Sequence, residues 1–486
     1  MSRVFNLIII AGLIVCGIVM ASETPHLGKL ILEGDRIDTL RIDAVFTQKH
    51  VEPILESMLN AYQDSGFYYV SLSPAGAIGE GDTIDLHVHV QRGPVVTISG
   101  IGIDGLKKTR PELIRRYIRL SVGDTLFADR INRSADRLRD LSFASLDRPP
   151  DVVPDPGYRT ATVRYALSEK RQLIIDGAAG YVPDDDGYLI WYMNLQARNF
   201  LGGGRQVSLL ADQREKYKTV FDVRYAQPVF WMGIGEIGGN VHTRDYRNDF
   251  YEFGVGISYQ LELSSRMRIT ASLAWKNVEP ADDALRSYAS YEAGVGVRIG
   301  GIDATRSTRT AYLVDWRISY LGRIYRGGDT VSVARSAYND TKNEVRLEYS
   351  QRLIPGLTGF VGGTFRDVKS SEAPLPISEL FMFGGPGSLR GYRSDQFAAR
   401  RVVLGTFEWR VFVSEIDYIY PFVDGVHYEW DRDADGTVSK ESEYRWGYGA
   451  GIRLASASRA LRIEFAWNED AGFDQPRLLI TLSNRF

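Results

Sequence analysis

Cysteine is almost absent. The only one in 486 residues is Cys16, inside an N-terminal apolar run, so a chain cut after that run has neither disulfides nor thiolate chemistry. The residues before it, Leu13-Ile14-Val15, lack the small side chains of a lipoprotein signal. Long hydrophobic runs are equally scarce. The one at 4–20 follows Arg3 and ends in Val19-Met20-Ala21, the pattern of an exported precursor cleaved after Ala21. Residues 1–21 are therefore expected to be a removed signal peptide; the alternative is an uncleaved anchor, since the run approaches the roughly 20 residues a spanning helix needs. A large charge of one sign is missing too: 58 Lys+Arg against 61 Asp+Glu leave a net −3, which argues against a nucleic-acid partner. Nor is there a GxSxG elbow, an HExxH pair or a phosphate-binding loop, so nothing marks the chain as an enzyme.

What is abundant is aromatic and glycine: 27 Tyr, 21 Phe and 48 Gly. A hydrophobic content of 44% resembles that of a soluble protein, yet it is also what a transmembrane barrel averages when lipid-facing and lumen-facing residues alternate. From Gln172 onward the alternation is strict. Tyr312, Val314, Trp316, Ile318 and Tyr320 share one strand face, and Asp315, Arg317 and Ser319 share the other. Arg462 and Glu464 likewise oppose Ile463, Phe465 and Trp467. A soluble sandwich would bury small aliphatics rather than so many Tyr and Trp, whereas a barrel places aromatics near both strand ends. Sixteen strands are predicted near 172–181, 188–198, 206–213, 218–226, 232–243, 250–262, 267–277, 287–299, 308–321, 341–352, 357–366, 400–412, 416–428, 443–455, 459–468 and 476–486. Long connections fall at 322–340, 369–399 and 430–442, alternating with short ones. An even count keeps both chain ends on one side of the membrane.

Before the barrel, 94–169 reads as a β-α-α-β-β unit. A strand near 95–103 precedes a helix opening at Pro111-Glu112, where Pro suits the first turn and Glu the helix dipole. Leu113, Ile114, Tyr117 and Ile118, then Ile131, Ala135, Leu138 and Leu141, recur at helical spacing. Strands follow at 143–146 and 160–168. The region 22–93 is similar but less regular, with a helix near 51–62 and strands near 66–70 and 83–90; His87 and His89 read as a solvated strand face rather than metal ligands.

Gly384 to Tyr392, GGPGSLRGY, lies in a long predicted loop, and five strand-like segments follow before the final Phe486. Alternation turns Glu408 and Asp424 inward, opposite Phe407, Trp409, Val411 and Val423. A loop entering the lumen needs glycines for close approach and an arginine able to give paired hydrogen bonds to wall carboxylates. Together these motifs resemble the BamA/TamA superfamily of outer-membrane assembly and translocation barrels with periplasmic POTRA domains. Leu389-Arg390-Gly391-Tyr392 is similar to that family's loop signature, Phe422-Val423-Asp424-Gly425 to its acidic strand motif, and Asn199-Phe200-Leu201-Gly202 to its early turn. The last strand, with Leu478, Ile480, Leu482 and Phe486 on one face, resembles the family's barrel-assembly signal, although Asn484 stands where an apolar residue is usual.

The resemblance implies a sixteen-stranded antiparallel outer-membrane barrel at 170–486, preceded by POTRA-like domains at 22–93 and 94–169 in the periplasm. It implies loop locking by Arg390, Gly391, Tyr392, Glu408 and Asp424. The expected partners are outer-membrane lipids, unfolded outer-membrane or secreted clients, and accessory periplasmic or lipoprotein subunits. The expected function is insertion of outer-membrane proteins through a seam between the first and last strands, where 172–181 would pair with 477–486; the alternative is secretion of a dedicated partner through the lumen. No cofactor is implied. One loop offers a calcium site instead: Asp431, Asp433, Asp435 and Thr437, with Gly436, follow the first positions of an EF-hand-like loop, while Ser442 replaces the usual final Glu.

Overall fold

The computed structural model describes residues 26–484 except 35–37, 46–47, 81–82, 140, 183–186, 216, 265, 283–284, 301–310, 327–336, 435–436, 456–458, 471 and 474. The expected signal peptide and Phe486 lie outside the described residues. Two compact units meet at Lys170 and Arg171, where the alternating pattern begins.

The first unit holds two α+β pieces. In the first piece, strands His26–Glu33, Asp38–Val45, Ser71–Glu80 and Thr83–Gln91 surround helix Gln48–Gln63 in sequence and pair in the order second, first, fourth, third. Leu27, Leu30 and Leu32 with Leu86, Val88 and Val90 bury one sheet face. Val51, Ile54, Leu55, Met58 and Leu59 cover it from the helix at the spacing of an amphipathic stripe. The strand expected at 66–70 is a helix stop instead. Gly66, at φ +95°, donates its N–H to Gln63 O at 3.3 Å, and Phe67 donates to Tyr62 O at 3.1 Å. Those are the two bonds of a glycine-dependent helix terminus, and the strand starts only at Ser71. His87 Nδ1 lies 2.7 Å from a Glu33 carboxylate oxygen, and His89 is exposed.

The second piece runs Thr97–Asp104, helices Pro111–Ile118 and Ala128–Arg139, then Ala144–Leu146, Asp151–Pro154 and Thr160–Glu169. This is the β-α-α-β-β order expected, plus the short strand Asp151–Pro154. Thr160–Glu169 is central, parallel to Thr97–Asp104 and antiparallel to the other two strands. Leu113, Ile114, Ile118, Ile131, Ala135 and Leu138 are buried, as their spacing required. At the end of the central strand, Glu169 Oε1 accepts hydrogen bonds from the amides of Lys107, Lys108 and Thr109 at 3.1, 2.8 and 2.6 Å. Burial disfavours its charge, but these amides outweigh burial and hold the carboxyl at about 2.

The second unit is a sheet of sixteen antiparallel strands. In chain order they are β1 Leu173–Val182, β2 Tyr188–Phe200, β3 Arg205–Glu215, β4 Lys218–Val229, β5 Ile234–Tyr246, β6 Phe250–Ser264, β7 Met267–Pro280 and β8 Tyr288–Gly300, followed by β9 Ala311–Tyr325, β10 Ala337–Ile354, β11 Leu357–Lys369, β12 Arg401–Phe412, β13 Tyr418–Ala434, β14 Thr437–Ala455, β15 Arg459–Asn468 and β16 Arg477–Asn484. Each strand pairs with its sequence neighbours, and β1 and β16 end the path. The pairing expected between these two strands includes Phe486, which lies outside the described residues. Gly177 and Gly180 of β1 bring no side chain to such a contact, so little besides backbone bonds could hold it. The short 2–3 turn is shaped by Asn199 (φ +56°), whose side-chain oxygen accepts the Gly204 N–H at 2.7 Å.

Alternation sorts the faces as read from the sequence. On β12, Phe407, Trp409 and Val411 are exposed while Glu408 and Arg410 are buried; on β13, Ile419 and Val423 are exposed while Tyr420, Phe422 and Asp424 are buried. Among the described residues, no helix is long and apolar enough to cross a membrane. The loop expected at 430–442 is a strand hairpin, since β13 and β14 stay paired out to Ala434 and Thr437. The connection between β11 and β12 does remain long. It carries a 3-10 turn, Ile377–Glu379, and a small antiparallel pair, Phe381–Phe383 with Phe397–Ala399.

Candidate functional site: the loop between β11 and β12

Arg390 sits in this loop and is 5% exposed. Its Nε and Nη2 donate to the two oxygens of Asp424 at 2.6 and 2.7 Å. Its Nη1 donates to Glu408 and to Glu464, both at 2.9 Å, and its backbone N–H reaches Asp424 at 3.1 Å. One guanidinium thus satisfies carboxylates from β12, β13 and β15, which its planar fork of donors allows and a lysine would not. The Phe422 ring lies 3.5 Å beneath it, so both residues of the Phe422-Val423-Asp424-Gly425 motif that face inward touch the same arginine.

Each acid has further partners. Asp424 accepts from Thr406 Oγ1 at 2.9 Å, Glu408 accepts from Arg410 Nε and Nη2 at 2.9 and 2.7 Å, and Glu464 accepts from Tyr420 at 2.8 Å. Close backbone approach makes this geometry reachable. Gly391 takes φ +95°, and a Cβ there would sit 2.5 Å from Trp467 O; a Cβ on Gly447 of β14 would sit 2.0 Å from Arg390 O. Asn468 Nδ2 donates to Gly391 O at 3.1 Å. Tyr392, buried, reaches Trp446 O at 3.3 Å and packs in a cluster with Phe383, Leu389, Val402, Val426 and Tyr428.

Arg390, Gly391, Tyr392, Glu408 and Asp424 therefore converge as read from the sequence. Glu464 joins them and was not singled out, although alternation already placed it on the inward face. Leu478 and Ile480 are exposed on the outward face of β16. Leu482 pairs opposite Leu461, while its side chain and Phe486 lie outside the described residues.

The calcium loop requires correction. Residues 431–434 and 437–442 are ladder, with Asp431 opposite Lys440, Asp433 opposite Val438 and Ala434 opposite Thr437. Acids at every second position of an extended strand stand about 6.6 Å apart and cannot wrap one ion. Asp-Gly is, moreover, the favoured dipeptide of a two-residue hairpin. Asp431 is already engaged: Arg400 Nη1 donates to both of its oxygens at 2.7 and 2.9 Å. Asp435 and the Thr437 side chain lie outside the described residues. No group of three or more His, Cys, Asp or Glu side chains suited to a metal occurs among the described residues.

Sixteen antiparallel strands whose outward apolar and inward polar side chains alternate, with an arginine loop held among inward carboxylates, define an outer-membrane β-barrel. The Omp85 superfamily domain matches residues 199–486, more than half of the chain, and the chain belongs to that superfamily. It is 22% identical over 407 residues to the outer membrane protein assembly factor BamA of Neisseria meningitidis serogroup B, covering 76% of this chain and 50% of that protein. It is also 22% identical over 512 residues to the protein of the same name from Nitratidesulfovibrio vulgaris, covering 95% of this chain and 62% of that protein. The chain thus spans about half to three fifths of the length of these relatives. Among solved structures, it is similar to Haemophilus ducreyi BamA lacking POTRA domains 1–3, with a TM-score of 0.56 at 14% identity, covering 92% of this chain and 95% of that one.

Proposed function

We propose that this protein inserts other proteins into the outer membrane, with two POTRA domains, 22–93 and 94–169, receiving unfolded clients in the periplasm and the β1–β16 seam templating their strands. The observation that carries the reading is the make-up of the ladder's two ends: β1 and β16 are its terminal strands, and Gly177 and Gly180 of β1 bring no side-chain packing to a seam between them. Unpaired backbone groups at hydrocarbon depth cost several kcal/mol each, so once such a seam opens, an incoming strand that pairs with either edge is stabilised there. Assembly of this kind needs no covalent chemistry. The names of the relatives support it. In this reading Arg390, Gly391 and Tyr392, with Glu408 and Asp424, lock the loop in the lumen while the seam works. Leu478, Ile480, Leu482 and Phe486 form the signal by which the barrel is itself assembled. Outer-membrane lipids contact the outward aromatic face, and accessory subunits bind on the periplasmic side.

The test is site-specific photocrosslinking in intact envelopes. Probes on β1 and β16 should capture the terminal strands of nascent barrel clients. Capture of a secreted chain by inward probes on β12 and β13, with none at the seam, would replace insertion with export through the lumen.

A further inference from the structure

The loop between β11 and β12 meets the wall at more places than Arg390: near its start, Tyr325 of β9 donates to Glu372 at 2.6 Å and Arg323 of β9 lies 2.8 Å from the same carboxylate. Upstream, the 3-10 turn Ile377–Glu379 presents Glu379, which is 1% exposed. Lys276 of β7 lies 3.0 Å from one of its oxygens, Lys342 of β10 donates at 2.9 Å and Tyr288 of β8 donates at 2.9 Å. Lys276 also bonds Glu252 of β6 at 3.0 Å and the Ser378 backbone oxygen at 3.3 Å. Two lysines face two glutamates here, with Arg244 and His242 also against Glu252 at 3.5 and 3.1 Å; removing Glu379 would leave buried cations short of a carboxylate.

The apolar contacts divide the same way. In Phe381–Phe383, successive side chains point to opposite faces. Met382 packs with Tyr246, Phe250, Val278 and Tyr288, whereas Phe383 packs with Leu389, Tyr392, Val402, Val426 and Tyr428. Each half of the loop thus has charged contacts and an apolar one, and the two halves use different strands: β4 to β10 upstream, β12 to β15 downstream.

We infer that Glu379 is a second anchor of this loop, independent of Arg390, which makes the loop a strut held at both ends. Glu379 is a positioning residue, acting through where it holds the loop. The inference rests on the barrel and its loop, not on what the protein assembles, so its test leaves the client aside. The chain has one cysteine, Cys16, and with Cys16→Ser a single reporter thiol can be placed at will. Ser378→Cys reports the upstream half and Leu389→Cys the downstream half, each read as the rate of maleimide labelling in outer-membrane vesicles. Since distant sites act independently and a broken buried pair is costly, Glu379→Gln should speed labelling at 378 by about tenfold or more and leave 389 within about twofold. Lys342→Met should do the same from the wall side, and Arg390→Ala should do the converse. Equal acceleration at both positions by Arg390→Ala would mean a single latch and overturn the inference. So would an unchanged rate at 378 in both Glu379→Gln and Lys342→Met.

Discussion

Replacing Arg390 with alanine tests the lock most directly, and the structure fixes how large the effect should be. The substitution removes four side-chain hydrogen bonds, but the three acids do not suffer equally. Glu408 keeps both bonds from Arg410, and Glu464 keeps Tyr420. Asp424, 0% exposed, loses its paired bonds and retains Thr406 and one backbone amide. Breaking a buried pair costs roughly 3–5 kcal/mol, and remaining partners and lumen water should lower that to about 2 kcal/mol. Loss of the cation–π contact with Phe422 adds about 0.5–1 kcal/mol. A total of about 2–3 kcal/mol moves the balance between held and released loop by roughly 30- to 150-fold. Strand pairing is untouched, so Arg390→Ala should still give a barrel, but with a lower temperature of conversion on semi-native gels and impaired assembly activity. Asp424→Asn should be milder, and Glu408→Gln milder again because Arg410 remains. Cysteines at 390 and 424 should crosslink. An unchanged conversion temperature with wild-type activity for Arg390→Ala would refute the reasoning.

Gly447→Ala should reproduce the Arg390→Ala defect without altering any charge, because a Cβ 2.0 Å from Arg390 O forces the loop off β14; thiol labelling at 389 reads it, and a wild-type rate would show that the close approach is dispensable. Glu169→Gln concerns the first unit. The folded pKa of Glu169, about 2, lies below its ordinary 4.5, so its contribution is present above about pH 4.5 and is lost as pH falls through 2. After discounting for solvent screening, that contribution is roughly 1–2 kcal/mol. The variant should lose that protection at neutral pH in amide exchange of Lys107, Lys108 and Thr109 within the whole chain, and should flatten its dependence on acid; equal exchange in both proteins would discard the role.

The barrel was legible because one signal, period-two alternation, is imposed on every strand by lipid outside and polar lumen inside. The same signal put Glu408, Asp424 and Glu464 inward. What it could not supply was the partner of each inward charge, since cross-lumen contacts depend on where a loop lands. Glu379 lies in no periodic segment, so nothing in the sequence joins it to Lys276 and Lys342. Local chemistry misled at two places. At 66–70 an apolar run hid a glycine stop, where φ +95° at Gly66 ends the helix before any strand can begin. At 431–439 alternating acids fitted an ion-binding loop and a strand equally well, and the ladder pairing of 431–434 with 437–440 decides for the strand.

The placement of the anchors bears on how a seam could open. The polar contacts of Glu379 and Arg390 draw on β7, β8, β10, β12, β13 and β15, and none of these lies on β1 to β4 or on β16. A strut fixed to those strands stiffens the wall away from the seam, where ladder hydrogen bonds run continuously from strand to strand. Opening a seam between β1 and β16 then breaks none of the buried ion pairs, whose loss would cost kilocalories, and exchanges only the sparse packing around Gly177 and Gly180 and lipid contacts. A lock across the lumen and a movable seam are therefore compatible in one barrel, because the cost of each falls on different strands.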